Sequence, residues 1–166
     1  MQQLEIQGPA GPLAVTVAGT GPLILCVHGW PELAYSWRNQ SAYFSARGYT
    51  VAALDVRGYG GSVKPSEVSA YTLPTLAADV AAVAAALAPE PAVLFGHDWG
   101  APIAYHTALL YPEQFRAVAG LSVPYSPPSP TPFIEVAEAL YADRFFYQNA
   151  FQVPGVAEQE LEADPE

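Results

Sequence analysis

Near the middle of the chain, Gly96-His97-Asp98-Trp99-Gly100 has residue types and spacing that could do chemistry. It follows the apolar run Ala92-Val93-Leu94-Phe95 and precedes Ala101-Pro102-Ile103, so it reads as a strand, a tight turn and the start of a helix. In so sharp a turn the side chains at its edges would collide, which glycine at both ends avoids. The middle residue is then pushed out at the N-terminus of the helix, the place of the nucleophile in a Gly-x-nucleophile-x-Gly turn. Here that residue is Asp98. A carboxylate attacks a saturated carbon and leaves an alkyl ester on the enzyme, whereas a serine would attack an acyl carbon. Aspartate is also a favoured N-cap, so a plain capped helix start is the competing reading.

Several elements must hold such a turn. Leu4-Glu5-Ile6 and Leu13 to Val17 read as an opening hairpin around Gly8-Pro9-Ala10-Gly11-Pro12. Leu23 to Val27 and Thr50 to Leu54 are continuous apolar runs, the pattern of strands covered on both faces. Between them a helix is expected from Ala34 to Arg47, ended by Gly48. Asp55-Val56-Arg57-Gly58-Tyr59-Gly60-Gly61-Ser62 forms a glycine-rich loop, followed by a helix from Thr75 to Ala88 that Pro89 and Pro91 stop. The helix after Asp98 ends near Tyr111-Pro112, and Arg116 to Val123 is a further strand. This alternation predicts an α/β fold with a mostly parallel sheet and helices on both faces. Pro124 to Pro132 cannot continue a helix or a central strand. The expected organisation is therefore a core over 1–123, a Pro-rich linker over 124–132 and a helical segment over 133–166. Its helices are expected at 133–142 and 156–162.

The 166 residues suffice for one domain with a core, and the 51% hydrophobic and 13% charged residues are a globular mixture. A net charge of -10 disfavours nucleic acid as a partner. Part of that charge lies in Glu158, Glu160, Glu162, Asp164 and Glu166. Cys26 is the only cysteine and sits in an apolar run, so a buried structural thiol is expected rather than a disulfide. The start of the chain lacks the basic and apolar regions of a signal peptide, and no run is long enough to span a bilayer. These features predict a cytoplasmic protein without membrane association. No metal-ligand spacing and no phosphate-binding glycine loop appears, so neither a metal nor a cofactor is expected.

His28-Gly29-Trp30-Pro31-Glu32, with Tyr35-Ser36-Trp37-Arg38, resembles the corresponding segment of epoxide hydrolases of the α/β-hydrolase fold. So do the glycine-rich loop 55–62, the turn 96–100 and the segment Tyr147 to Glu158, which is similar to that family's lid. Four motifs in the family's order make the resemblance specific. It implies that Asp98 opens an epoxide to an alkyl-enzyme ester, which water then hydrolyses to a diol. It implies that the Trp30 and Trp99 amides form the oxyanion hole. It also implies that Tyr147 is the first of two lid tyrosines that protonate the leaving alkoxide; a phenol is a suitable donor across the neutral range. The substrate would be a small epoxide, bound among Trp30, Pro31, Trp99, Tyr125 and Tyr147. The Trp30-Pro31 bond is a candidate cis peptide.

The same family uses an acid and then a histidine, both after the nucleophile, to hydrolyse the ester. His28, His97 and His106 do not fit that place and are expected to be structural. The second lid tyrosine is not found either. The expectation is thus the N-terminal portion of such an enzyme, ending within the lid, capable at most of the first half-reaction and with an open sheet edge. Asp55 precedes the nucleophile and is expected to brace its turn through the Arg57-Gly58 backbone, with Arg57 and Arg38 as ion-pair or clamping residues. A haloalkane dehalogenase is the first alternative. It would use Trp99 for the halide, but it commonly carries asparagine where this chain has Trp30 and has no use for a lid tyrosine. The second alternative is a non-catalytic binding protein of the same fold. The sequence does not indicate an oligomeric state.

Overall fold

The computed structural model describes residues 1–127 and 129–163. Pro128 of the expected linker and the tail residues Asp164 and Glu166 lie outside the described residues. The described residues fall into two compact units, divided between Tyr125 and Ser126.

The first unit is built on a six-stranded sheet. Strands β1 (Gln2–Gly8) and β2 (Gly11–Ala18) form an antiparallel hairpin, and β2 pairs antiparallel with β4 (Thr50–Leu54). Strand β4 pairs in parallel with β3 (Leu23–Val27), β3 with β5 (Ala92–His97), and β5 with β6 (Phe115–Leu121). The order is β1-β2-β4-β3-β5-β6. The all-apolar runs are the central strands, because only there are both faces covered.

Alternation along those strands sorts the core into two layers. Leu23, Leu25, Val27, Ala52, Leu54 and Leu94 meet Val80, Val83 and Ala84 of helix α2 (Leu73–Leu87) and Ile103 and Ala104 of helix α3 (Gly100–Leu110). On the other face Ile24, Cys26, Val51 and Ala53 meet Ala34 and Trp37. Phe44 of helix α1 (Arg38–Ser45) packs there too. Helices thus cover both faces, as expected. Cys26 is fully buried, and burial pushes its thiol pKa up to about 12.

The element boundaries shift for local reasons. The helix expected from Ala34 opens as a 3-10 turn, Ala34–Trp37, and becomes α-helical at Arg38. The Ala34 amide is held by Asp55 Oδ1 at 2.9 Å, which fixes the entry of the chain. Helix α2 starts at Leu73 rather than Thr75, with Pro74 in its first turn, where a missing N–H costs nothing. Strand β6 ends at Leu121 rather than Val123, because Ser122 takes a left-handed backbone with φ 69.

In the second unit lie α4 (Phe133–Leu140), α5 (Tyr147–Ala150) and α6 (Val156–Ala163). An aromatic cluster joins the first two. Tyr141 stacks on Phe146 at 4.4 Å, and Phe146 also meets Phe133 and Tyr147. The one-turn helix α5 was not expected from the aromatic run. Among the described residues no helix is long and apolar enough to cross a membrane.

Candidate active site

The turn at 96–100 joins β5 to α3 at the C-terminal edge of the sheet, where open α/β sheets place their ligands. Its glycines are required by contact. A Cβ on Gly96 would lie 2.7 Å from Ala101 Cα, and one on Gly100 would lie 2.7 Å from the His28 carbonyl oxygen. The squeeze leaves Asp98 with a left-handed backbone, φ 51, which a non-glycine residue holds only at a cost of about 1–3 kcal/mol.

The carboxylate does not cap its own helix. Helix α3 has no side-chain cap, and Asp98 Oδ1 instead accepts a hydrogen bond from the Trp30 amide, 68 residues away, at 2.9 Å. Among the described residues Oδ2 has no hydrogen-bond donor. The side chain is half-buried. The adjacent helix start favours its negative charge. Trp99 follows directly, and its amide is one of those that a helix start leaves without an intrahelical acceptor. Trp99 as a whole is 43% exposed.

Opposite the turn stands the loop His28–Glu32. The Trp30-Pro31 peptide is cis, and Pro31 is exposed. Gly29 lies against Asp98, where a Cβ would strike the Asp98 side chain. His28 is 1% exposed. Its Nδ1 is 2.8 Å from the Gly29 carbonyl, and its Nε2 accepts from the Val56 amide at 3.0 Å. Burial lowers its pKa below 6.5, against opposing contributions from the Gly29 bond, Asp55 and Glu32.

Three of the surrounding residues had no role assigned from sequence. Glu32 Oε2 accepts from the Gly29 amide at 3.2 Å and lies 3.1 Å from His97 Nδ1. It thereby ties the loop to the turn a second time. Its position three residues after Gly29 was the available signal. Tyr59, in the glycine-rich loop, meets the His28 ring edge-on at 5.1 Å. Burial, followed by the negative charge of Asp98, raises its phenol pKa. The third, Asp79, pairs with Arg57. Arg57 Nε and Nη2 donate to Asp79 Oδ2 and Oδ1, each at 2.8 Å, and both side chains are buried. The clamping role expected of Arg57 therefore has a partner on α2.

Asp55 corrects an expectation. It does brace the turn, but its oxygens accept from the Ala34 and Gly61 amides rather than from Arg57 and Gly58. Arg38 donates to the Tyr35 carbonyl and lies over the Tyr35 ring at the surface. His106 Nδ1 donates to the Pro102 carbonyl of its own helix. Tyr125 is exposed and packs edge-on against Tyr105 at 5.5 Å. Tyr147 lies in the second unit, on α5, and its hydroxyl accepts from Gln148 Nε2 at 2.9 Å. Of the residues singled out from sequence, the structure thus brings together Trp30 and Asp98, with Trp99 beside them. Among the described residues no cluster of His, Cys, Asp or Glu could hold a metal ion.

Residues 22–159 match the family described as alpha/beta hydrolase fold. The chain is 42% identical over 155 residues to Epoxide hydrolase A of Mycobacterium tuberculosis, covering 92% of this chain and 48% of that protein. It is 42% identical over 148 residues to Epoxide hydrolase 3 of Siraitia grosvenorii, covering 89% of this chain and 46% of that protein. A solved epoxide hydrolase from an endophytic Streptomyces superposes with a TM-score of 0.95 at 46% identity, over 98% of this chain and 49% of that one. The chain therefore spans about half the length of these relatives.

Proposed function

The chain belongs to the α/β-hydrolase fold family, and from that premise we propose that it carries the ester-forming half of an epoxide hydrolase. One observation supports this above the rest. Asp98 is held forward by a left-handed backbone, with Oδ1 on the Trp30 amide and, among the described residues, no donor to Oδ2.

In this reading Oδ2 attacks an epoxide carbon. A C–O ester bond forms, the ring C–O bond breaks, and its electron pair goes to the ring oxygen. That alkoxide takes a proton from Tyr147, whose role rests on the family resemblance. The Asp98 oxygen that stays a carbonyl is Oδ1, already facing the Trp30 N–H. When water later adds to the ester, the negative charge develops on that oxygen, where an oriented donor is worth most. Trp99 supplies the second donor. Trp30, Pro31, Trp99 and Tyr125 supply aromatic and apolar surface suited to an apolar or aromatic epoxide, and Tyr147 joins them on the family resemblance alone. The family resemblance also gives the segment 133–166 the part of the beginning of a lid.

Among the described residues no histidine is placed to serve as base for the water. His28 and His106 bond backbone groups, and His97 meets Glu32. Incubation with styrene oxide should therefore add one epoxide mass to the intact protein, located to Asp98 by peptide mapping, without sustained diol release. Asp98→Asn should fold and take up no mass. Absence of an adduct on the parent chain, or an adduct elsewhere, overturns the reading, and halide release from a haloalkane favours dehalogenase chemistry.

A further inference from the structure

We propose that His28 is a positioning residue for the oxyanion amide: as a neutral imidazole it stitches the Gly29 carbonyl to the Val56 amide, and so holds the Trp30 N–H on Asp98. The role rests on the function proposed above, but its geometry is independent of any substrate.

Hydrogen-bond chemistry fixes the state of the ring. A carbonyl oxygen only accepts, so the Nδ1 facing Gly29 at 2.8 Å carries the proton. A backbone amide only donates, so the Nε2 facing the Val56 N–H at 3.0 Å carries a lone pair. Only the neutral Nδ1–H tautomer satisfies both. Protonation at Nε2 would set two N–H groups against each other in a site that is 1% exposed. The cost of an unsatisfied buried donor would then push Gly29 and Val56 apart.

What moves with Gly29 is the site. Gly29 packs directly beneath the Asp98 side chain, and the next amide along is the Trp30 donor, 2.9 Å from Oδ1. On the other side, Val56 opens the loop that carries Tyr59, whose ring meets the imidazole at 5.1 Å. The charged groups facing His28 are Asp55 and Glu32, and both favour its protonation; burial opposes them more strongly. The neutral ring is thus maintained by its enclosure, and the motif's histidine works on catalysis without touching substrate.

The test uses the whole chain, labelled with 15N. At pH 7 the His28 ring should show the Nδ1–H tautomer, and the Trp30 amide proton should lie far downfield, as expected of a donor to a carboxylate. His28→Ala should shift that amide upfield and slow styrene oxide adduct formation by about 10- to 100-fold, up to the loss expected for misplacing a donor. His28→Gln, which offers an uncharged acceptor to Val56, should recover most of the rate. It should also remove the acid-side transition of the Trp30 resonance that coincides with His28 titration in the parent chain. Should His28→Ala not fold, His28→Gln and the parent chain decide the matter alone. A charged ring or an Nε2–H tautomer at pH 7 overturns the proposal. So does a Trp30 resonance whose acid transition persists unchanged in His28→Gln. If the parent chain forms no adduct, the functional reading fails, while the tautomer and the Trp30 resonance still judge the role of His28.

Discussion

Two residues other than glycine hold a left-handed backbone among the described residues, Asp98 at φ 51 and Ser122 at φ 69. They lie side by side just past the paired ends of β5 and β6, where the Asp98 amide donates to the Leu121 carbonyl. At Asp98 the conformation serves the carboxylate. At Ser122 no side-chain hydrogen bond among the described residues explains it. Ser122→Asn should stabilise the chain by about 0.5–1 kcal/mol, because asparagine tolerates this region better than serine. Urea denaturation would show a higher midpoint, and a lower one would mean that Ser122 makes a contribution the backbone hides. His28 sets a second expectation. Its folded pKa lies below 6.5, so the unfolded chain binds the proton more readily. The stability this provides is fully present above pH 6.5 and is lost as pH falls through the folded value. Denaturation midpoints of the parent chain should therefore fall between pH 7.5 and 5 by more than those of His28→Gln. Asp98, its glycines and its opposing amide were legible at this scale, because a tight turn needs fixed residue types. The state of His28 was not, because its second partner, Val56, lies 28 residues away.

Among the elements, the join between the glycine-rich loop and α2 depends on a buried ion pair. Arg57 and Asp79 are 3% and 2% exposed, and the guanidinium also donates to the Ala70 carbonyl at 2.6 Å. Asp79→Ala would leave a buried cation without its partner, at a cost of about 3–5 kcal/mol. Equilibrium denaturation should show that loss, and Asp79→Asn should lose less. A neutral outcome for Asp79→Ala would mean that the backbone carbonyls of Ala70 and Thr75 suffice for Arg57. The sequence marked Arg57 as a clamp but left its partner open. Asp79 read only as a charge within an alanine-rich helix, because nothing local reports which face of α2 meets the loop. The same reason explains the misassigned donors of Asp55. The mostly parallel sheet and its two covered faces were readable, since apolar runs and their alternation with helices leave few arrangements; the strand order was not.

For the whole molecule, the feature with most consequence in solution is the free side of β6. Among the described residues no strand pairs with it, and Ala117, Gly120 and Leu121 are exposed. Leu109 and Leu110 of α3 are also exposed. Unpaired backbone groups beside apolar side chains invite a further strand. Light scattering should show apparent mass rising with concentration, and Ala117→Lys should suppress that rise, since an edge lysine opposes pairing. A mass independent of concentration in the parent chain would show the edge to be protected. The run Arg116 to Val123 predicted a strand; the open sheet edge was expected from the family resemblance and not from the run, because composition records apolarity and not neighbours.

Gly29 carries one last implication. A methyl group there would collide with the side chain of Asp98. The two positions therefore cannot drift apart independently over generations. A descendant that exchanges the acid for another short polar group keeps its backbone and tries a new reaction at once. One that replaces the hydrogen beneath it must rebuild both loops before any reaction is possible, so inventive lineages on this scaffold begin above the glycine and leave the glycine alone.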